Sequence, residues 1–569
     1  MLKTSKKITH HDYKTFLSNP DLSLIRSPLV NIHREEQRIS EVLFIEPKEN
    51  GHFYKNPMHL QYLAGSVEES LNISVNLLDL NIAEDVERLE HLEPQLIVIS
   101  TPHGSIQSVK DIVTKYSRTS FILIGEIVTD GLSSEFLSVF SGSDVISIPS
   151  YAENELINHV KKTYGITSKP LRLNIQESPK ALFTKQIVNK YLDSGFQLFI
   201  HGISRGCEEK CTFCRLNNRK ETSGVVNNID YLSTVETLSD IASLAKENIY
   251  IQFSDENFFG GKSPSDKAQR LTDIIKLSDC ISSDKKFGNV RFGVDTRIDT
   301  IYNAEDTKEL SALRRNAWAK FISSGLKYTY IGLESVSKTQ IKRYGKRFTP
   351  EKIMASVSQL NQMDIDYTLG LIIFDPLTTV EEVKENIDFI KDNNLYGNVA
   401  SLLKEIRVEV KSPYYKLMKV KSSQDEKITN FLYCNQGSIK FTDDTIQNMM
   451  PIIREVSQLF RGSGYRHSDL SRIYNLTDDN LALNIIPSIV IKLEIEIIEL
   501  LISRNFTLFK NMEKTNNILS AFIKEVHIII SAFEANSKNE KKVRNYYLSV
   551  FKEIESSTPI NLTSQDVTS

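Results

Sequence analysis

Three of the chain's five cysteines stand close together, in the segment that runs from His201 through Cys207, Cys211 and Cys214. Thiolates at this C-x3-C-x2-C spacing on one short loop can bind three irons of a [4Fe–4S] cubane and leave the fourth iron without a protein ligand. Zinc is the competing chemistry, with His201 or the distant Cys434 as fourth ligand. Against zinc, no second Cys or His pair stands at a zinc-finger spacing. Five cysteines in 569 residues are too few for a disulfide framework, and their clustering points to metal.

A cluster loop must be carried by a scaffold, and the hydrophobic pattern supplies one. Phe196–Gly202 reads as a strand that ends just before the cysteines. Further strand-like runs follow at Ile249–Ser254, Val290–Val294, Tyr328–Gly332, Tyr367–Ile373 and Ile406–Val410, with helical stretches such as Pro350 to Met363 between them. Six such repeats predict a (β/α)6 partial barrel, in which chemistry sits at the C-terminal ends of the strands. Upstream, apolar runs at Val42–Ile45, Val75–Leu80, Leu96–Ser100, Phe121–Gly125 and Val145–Ile148 alternate with helix-length segments. Such runs are strands buried on both faces, and they predict a five-stranded, Rossmann-like parallel sheet. Past about Tyr415 the pattern turns helical, as over Ser488 to Ile502. The expected organisation is an extension over 1–40, the Rossmann-like domain over 41–165, a linker over 166–195, the barrel over 196–418 and a helical domain over 419–569.

Composition narrows the partners. Lys plus Arg total 69 and Asp plus Glu 72, a net charge of −3 without a basic stripe, so nucleic-acid binding is not indicated. The N-terminus is polar, and no apolar run approaches the ~20 residues of a membrane span. The expectation is a cytoplasmic protein with no membrane partner.

The cysteine spacing, the aromatic Phe213 before the last cysteine and the strand-loop placement together resemble the radical S-adenosylmethionine superfamily. The resemblance covers about Phe196 to Met418. It implies that S-adenosylmethionine chelates the open iron through its amino and carboxylate groups, and that an electron from the reduced cluster releases a 5′-deoxyadenosyl radical. It also implies roles for single residues. Phe213 would pack beside the adenine. The Ile249–Phe259 segment resembles the strand whose end, here Ser254 and Glu256, contacts the amino group. Arg297 would lie near the methionine carboxylate, and Glu334 near the ribose or amine. The bound cofactor carries a carboxylate, an ammonium and a ribose diol, and one Arg with several carboxylates at strand ends is the matching set.

The first domain resembles the cobalamin-binding domain that precedes the barrel in one subgroup of that superfamily. The likeness runs through Val42 to Pro47, the helix start at Pro57–Ala64, Ser100 and Thr101 after the third strand, Gly125 after the fourth, and Tyr151–Glu155 after the fifth. Ligands of such folds lie outside the C-terminal strand ends, where Ser100, Thr101 and Gly125 fall. Two positions depart from the subgroup's pattern: Lys48 stands where a cobalt-ligating histidine would, and Glu126 where a second glycine would.

These resemblances imply a transferase-type enzyme with a [4Fe–4S] cluster, S-adenosylmethionine and cobalamin, acting on a small molecule or peptide. An electron donor such as flavodoxin or ferredoxin would serve it. C-methylation of an unactivated carbon is the expected reaction. Hydrogen abstraction with epimerisation or rearrangement stands as the alternative enzyme reading, and a non-catalytic zinc scaffold as the alternative of another class. Cys280 and Cys434 are not needed for the cluster. Cys434, just past the barrel, is the candidate hydrogen donor to a substrate radical, against the commoner role of an inert core cysteine.

Overall fold

The computed structural model describes residues 42–48, 56–71, 73–102, 105–116, 119–125, 140, 144–148, 153–164, 181–183, 188, 198–214, 216, 226–245, 249–363, 365–409, 412–422, 428–429, 433–434, 440–460, 481–503 and 545. The expected extension over 1–40, most of the linker over 166–195, and Glu126 and Tyr151 lie outside these. The chain divides into two compact units, one of Met1–Phe53 with Val67–Leu171 and one of Tyr54–Ser66 with Arg172–Ser569.

In the first unit, strands β1 (Val42–Glu46), β2 (Val75–Asp79), β3 (Leu96–Ser100), β4 (Ser120–Ile124) and β5 (Val145–Ile148) form one sheet in the order β2-β1-β3-β4-β5. All its pairings are parallel. Between the strands in sequence come helices α1 (Met58–Leu71), of which residues 58–66 belong to the second unit, α2 (Ala83–Leu89), α3 (Ile106–Lys115) and α4 (Glu153–Tyr164). All five residues of β3 are buried, so the continuous apolar run reflects burial on both faces. The strand order reverses between β1 and β3, which creates the switch point where such sheets open a crevice.

In the second unit, β6 (Leu198–Ile200) is followed by the short antiparallel pair β7 (Ser204–Gly206) and β8 (Val226–Asn228). Then α5 (Tyr231–Leu244), β9 (Ile249–Phe253), α6 (Pro264–Ser283), β10 (Val290–Arg297), α7 (Lys308–Ser323), β11 (Leu326–Glu334), α8 (Lys338–Arg343), α9 (Pro350–Leu360) and β12 (Asp366–Leu371) complete the α/β series. The five long-range strands pair in parallel, each beside its predecessor, as β12-β11-β10-β9-β6. Helix starts carry their signals: Ser263 and Asp266 form a capping box with Pro264 in the first turn of α6, and Thr349 caps α9 ahead of Pro350.

The sixth expected strand takes another form. Ile406 and Val408 are buried at alternate positions as a strand would be, yet the chain meets the sheet through single bridges, Leu369 with Val399 and Phe374 with Glu405. Helix α10 (Val380–Asp392) precedes this segment; after it come α11 (Pro413–Ser422), α12 (Asp444–Phe460) and α13 (Leu481–Ile502), and a two-residue ladder of β13 (Ile428–Thr429) with β14 (Tyr433–Cys434) lies between α11 and α12. No helix among the described residues is long and apolar enough to cross a membrane.

Candidate active site: the cysteine loop and the strand ends around it

The loop after β6 is held by the end of β9. Asp255, buried, accepts hydrogen bonds from the backbone N–H groups of Gly202 (2.7 Å) and Ile203 (2.9 Å) and from the Ser204 hydroxyl (2.8 Å). Next in sequence, Glu256 accepts from the Gly206 N–H at 2.9 Å. Asn257 then donates to Glu208 at 2.7 Å, and Glu208 also accepts from the Gly261 N–H at 2.9 Å. Three consecutive polar side chains thus fix the chain that leads into Cys207. They project reliably because the following Phe258 and Phe259 are fully buried, with Phe258 stacked on Phe321 and Phe259 on Trp318. Gly202 allows the approach, since a Cβ there would stand 2.6 Å from an Asp255 carboxylate oxygen.

The far side of the loop is tied to the segment after α8. Thr212 donates its N–H to the Tyr344 carbonyl (3.0 Å) and its hydroxyl to the Arg343 carbonyl (2.8 Å), while its own carbonyl accepts from the Tyr414 N–H (3.0 Å). Phe213 meets Tyr344 edge to face with centroids 5.4 Å apart.

Burial pushes the Cys207 and Cys214 thiols up to about 12, an effect that Glu208 adds to at Cys207; the cations Arg297 and Lys346 oppose it at Cys207 and Cys214 respectively. Deprotonation at such a site must be driven by metal binding, which releases the protons. Among the described residues no three His, Cys, Asp or Glu side chains converge on a single metal ion. His201, the proposed fourth zinc ligand, is buried, with Nδ1 at 3.1 Å from the Ser254 hydroxyl and its ring against Tyr62. The three cysteines on a rigid loop, with two buried cations nearby, fit an anionic cluster.

The strand-end residues surround this loop, each with partners from the chain itself. Ser254 also lies 3.1 Å from the Met58 sulfur. Arg297 ends β10 and is buried; its Nε and Nη2 donate to Asp299, both at 2.9 Å, and Nη1 lies 3.2 Å from Glu209 of the cysteine loop. Burial alone would lower its pKa, and Asp299 and Glu209 more than offset that. Glu334 ends β11 with a positive φ of 68° and accepts from the Lys346 ammonium at 3.1 Å. Cys280 lies on α6. Cys434 lies on β14, and its side chain falls outside the described residues.

In the first unit the expected ligand-facing residues stand at neighbouring strand ends. The Ser100 hydroxyl donates to Glu46 at 2.5 Å, across the switch point. Thr101 donates its N–H (2.7 Å) and hydroxyl (3.1 Å) to the Ile124 carbonyl. Gly125 follows with φ 119°, and a Cβ on it would come within 3.3 Å of the Thr101 nitrogen. A side chain is therefore disfavoured there by strain as well as space. Lys48, past β1, is half-buried, and its N–H donates to the Ser108 hydroxyl at 3.1 Å.

Residues 202–390 match the family model described as the Radical SAM superfamily. They form a radical SAM domain. Such a domain implies a [4Fe–4S] cluster and S-adenosylmethionine, and its matched span contains the whole cysteine loop. A curated relative, 4′-phospho-dehydrooxetanocin synthase of Priestia megaterium, is 25% identical over 350 residues; the match takes in 56% of this chain and 46% of the relative, so it spans about half the relative's length. Among solved structures, the cobalamin-dependent S-adenosylmethionine radical enzyme OxsB with aqua-cobalamin and S-adenosylmethionine bound aligns with a TM-score of 0.65 at 17% identity, over 93% of this chain and 82% of that one. The radical S-adenosylmethionine methyltransferase TsrM of Kitasatospora setae aligns at 0.52 and 13% identity, over 68% and 77%. At these identities the two structures establish the fold, an N-terminal parallel sheet followed by the radical SAM α/β series.

Within the radical SAM domain, sequence reasoning missed Asp255, Asn257 and Glu208, which hold the loop, and Lys346, the buried cation beside Glu334. The run Ser254–Asn257, polar side chains wedged between a buried strand and two phenylalanines, was the available signal for the first two. Nothing local marks Lys346.

Proposed function

We propose that this protein reductively cleaves S-adenosylmethionine at a [4Fe–4S] cluster held by Cys207, Cys211 and Cys214, and uses the radical to modify an unactivated carbon. The observation that carries this reading is the cysteine loop inside the radical SAM domain, clamped through Asp255 and Glu256 to one strand end and through Thr212 to the segment after α8. When bound, the cluster would supply the electron that splits the cofactor. The protein's own part is to hold three thiolates in place and to surround the cofactor's polar groups with Ser254, Glu256, Arg297 and Glu334, with Phe213 on the adenine side. Cys434 keeps its place as the candidate hydrogen donor. The working division keeps the first domain at 41–165 and the barrel at 196–418.

Cobalamin-dependent C-methylation is the favoured reaction. In its support, OxsB is a cobalamin-dependent enzyme with aqua-cobalamin bound and TsrM a methyltransferase, and Ser100, Thr101 and Gly125 stand at the strand ends beside the switch point, where ligands of such sheets lie. Hydrogen abstraction with rearrangement or epimerisation is the second reading; the curated relative is named a synthase. Anaerobic reconstitution followed by product analysis tests both. 5′-Deoxyadenosine together with S-adenosylhomocysteine supports methylation, 5′-deoxyadenosine alone supports abstraction, and neither product would sink the radical reading.

A further inference from the structure

Thr212, between Cys211 and Cys214, is held by the backbones of three residues. It donates its N–H to the Tyr344 carbonyl and its hydroxyl to the Arg343 carbonyl, and its own carbonyl accepts from the Tyr414 N–H. The side chains of those same three residues end on one carboxylate. Asp375, fully buried in the segment between β12 and α10, accepts on Oδ2 from Arg343 Nη2 at 2.8 Å and from the Tyr344 hydroxyl at 2.6 Å, and on Oδ1 from the Tyr414 hydroxyl. The Leu377 N–H (2.9 Å) and the Gln340 amide (3.3 Å) also donate to it. A carboxylate offers about four lone-pair directions, so these donors saturate Asp375 and fix its orientation.

A buried carboxylate needs a cation to stay charged, and Arg343 supplies it. Arg343 is itself pinned to the first turn of α10, where it donates to Glu382 at 2.9 and 2.7 Å. The end of α8, the start of α10 and the start of α11 therefore meet at Asp375. Tyr344 and Tyr414 also belong to one buried cluster with Leu377, Ile406, Val408 and Met418, and Phe213 packs against it. The stretch from Cys211 to Cys214 is thus seated on a surface whose shape depends on Asp375. The chain leading into Cys207 is held instead from the end of β9, by Asp255 and Glu256.

We propose that Asp375 is a positioning residue for the radical reaction: it sets the place of Cys211, Cys214 and Phe213, two of the three cluster thiolates and the adenine-side ring, separately from the Asp255 clamp on Cys207. Its consequence for catalysis rests on the radical reading above. An asparagine at this position keeps the shape but replaces one acceptor oxygen by an N–H donor, so at least one of the buried donors around it faces another donor.

The test uses the full-length protein and three variants, Asp375→Asn, Asp255→Ala and Tyr344→Phe/Tyr414→Phe. In metal-free protein held well below its melting temperature, alkylation of each cysteine by iodoacetamide is timed by peptide mass spectrometry. Asp375→Asn should speed alkylation of Cys211 and Cys214 by about tenfold or more relative to Cys207, the effect on local opening of losing a hydrogen bond to a charged group. Asp255→Ala should favour Cys207 instead, and the double tyrosine variant should move Cys211 and Cys214 in the same direction by a smaller factor. After anaerobic reconstitution, the electron paramagnetic resonance signal of the reduced cluster in Asp375→Asn should respond less to S-adenosylmethionine, with slower dithionite-driven cleavage per cluster. No change in alkylation, or an equal rise at all three cysteines, would overturn the proposal, as would a wild-type spectral response and cleavage rate per cluster. If Asp375→Asn does not accumulate as folded protein, the double tyrosine variant decides by the same outcomes. Absence of cleavage by the unmodified protein would count against the radical reading, whereas the alkylation pattern judges Asp375 by itself.

Discussion

The ammonium of Lys346 lies 3.1 Å from Glu334, a buried cation set on the last residue of β11. Glu334 holds a positive φ of 68°, a backbone state that costs a non-glycine residue about 1 kcal/mol or more and persists only where surrounding contacts enforce it. The β11–β12 register shifts between Gly332 and Glu334, so the strand end is re-aimed at this point. Burial alone would lower the Lys346 pKa, but Glu334 and Cys211 outweigh it and hold the side chain charged. Lys346→Met should weaken S-adenosylmethionine binding by about 1–3 kcal/mol, the usual worth of a charge-assisted contact. Isothermal titration of the reconstituted protein reads this directly; wild-type affinity would remove Lys346 from the cofactor's surroundings.

Arg297 gives a contrasting expectation, because Asp299 already takes two of its donors and Glu209 faces the third. If it meets the cofactor carboxylate directly, Arg297→Ala should lower affinity and leave iron content full. If it acts through Glu209 of the cysteine loop, iron retention should fall as well. Iron assay and cofactor titration on the same preparation separate the two.

Asp255→Ala should release the segment ahead of Cys207. Two buried N–H groups and a buried hydroxyl would lose their acceptor, at about 1–3 kcal/mol each. The expected outcome is a lower melting temperature and substoichiometric iron after anaerobic reconstitution. A variant that melts like the wild type and binds full iron would show that Glu256, Asn257 and Thr212 hold the loop without it.

What the sequence disclosed follows from how local each signal is. The cysteine ligands are neighbours in the chain, so spacing alone reveals them. Strand β3 matches the expected Leu96–Ser100 run because all five of its residues are buried, whereas β5 matches Val145–Ile148 although only Ile148 of it is buried. β11 begins two residues earlier and ends two later than the apolar run, since exposed Lys327 and Tyr330 interrupt its pattern. Ile406 and Val408 carry a strand's alternation without strand pairing, because burial period reports the face a residue shows and not its hydrogen bonds. Asp255 and Lys346 were illegible for the opposite reason. Their partners lie some 50 residues away for Asp255 and 12 for Lys346, and only the folded sheet brings them together.

Glu494 on α13 gives a pH prediction. It is fully buried, accepting from the Leu402 N–H at 2.7 Å and the Ser401 hydroxyl at 2.8 Å, and burial pushes its carboxyl up to about 7. Between the ordinary value of 4.5 and about 7 the folded protein holds this proton while the unfolded chain has released it. Stability therefore falls as pH rises through that window, by ~3 kcal/mol in total, and levels off above it. Glu494→Gln keeps an acceptor for Leu402 and removes the titration, so its denaturation midpoint should lose most of this slope. An unaltered slope would assign the pH dependence to other groups.

The last prediction concerns cobalamin, which decides between methylation and abstraction. A corrinoid at the first unit's switch point would sit on the strand ends that carry Ser100, Thr101 and Gly125. By the sequence resemblance Lys48 would stand where a lower-ligand histidine does, and a protonated lysine has no lone pair to offer cobalt. Protein reconstituted with hydroxocobalamin should therefore retain the corrinoid through gel filtration and show the absorption of cobalt without a nitrogenous lower ligand. Gly125→Val, which adds bulk at a φ of 119° beside Thr101, should reduce the retained corrinoid while leaving the iron content of the second unit unchanged. Loss of all corrinoid from the unmodified protein, with 5′-deoxyadenosine still formed on its substrate, would retire methylation in favour of abstraction with rearrangement or epimerisation.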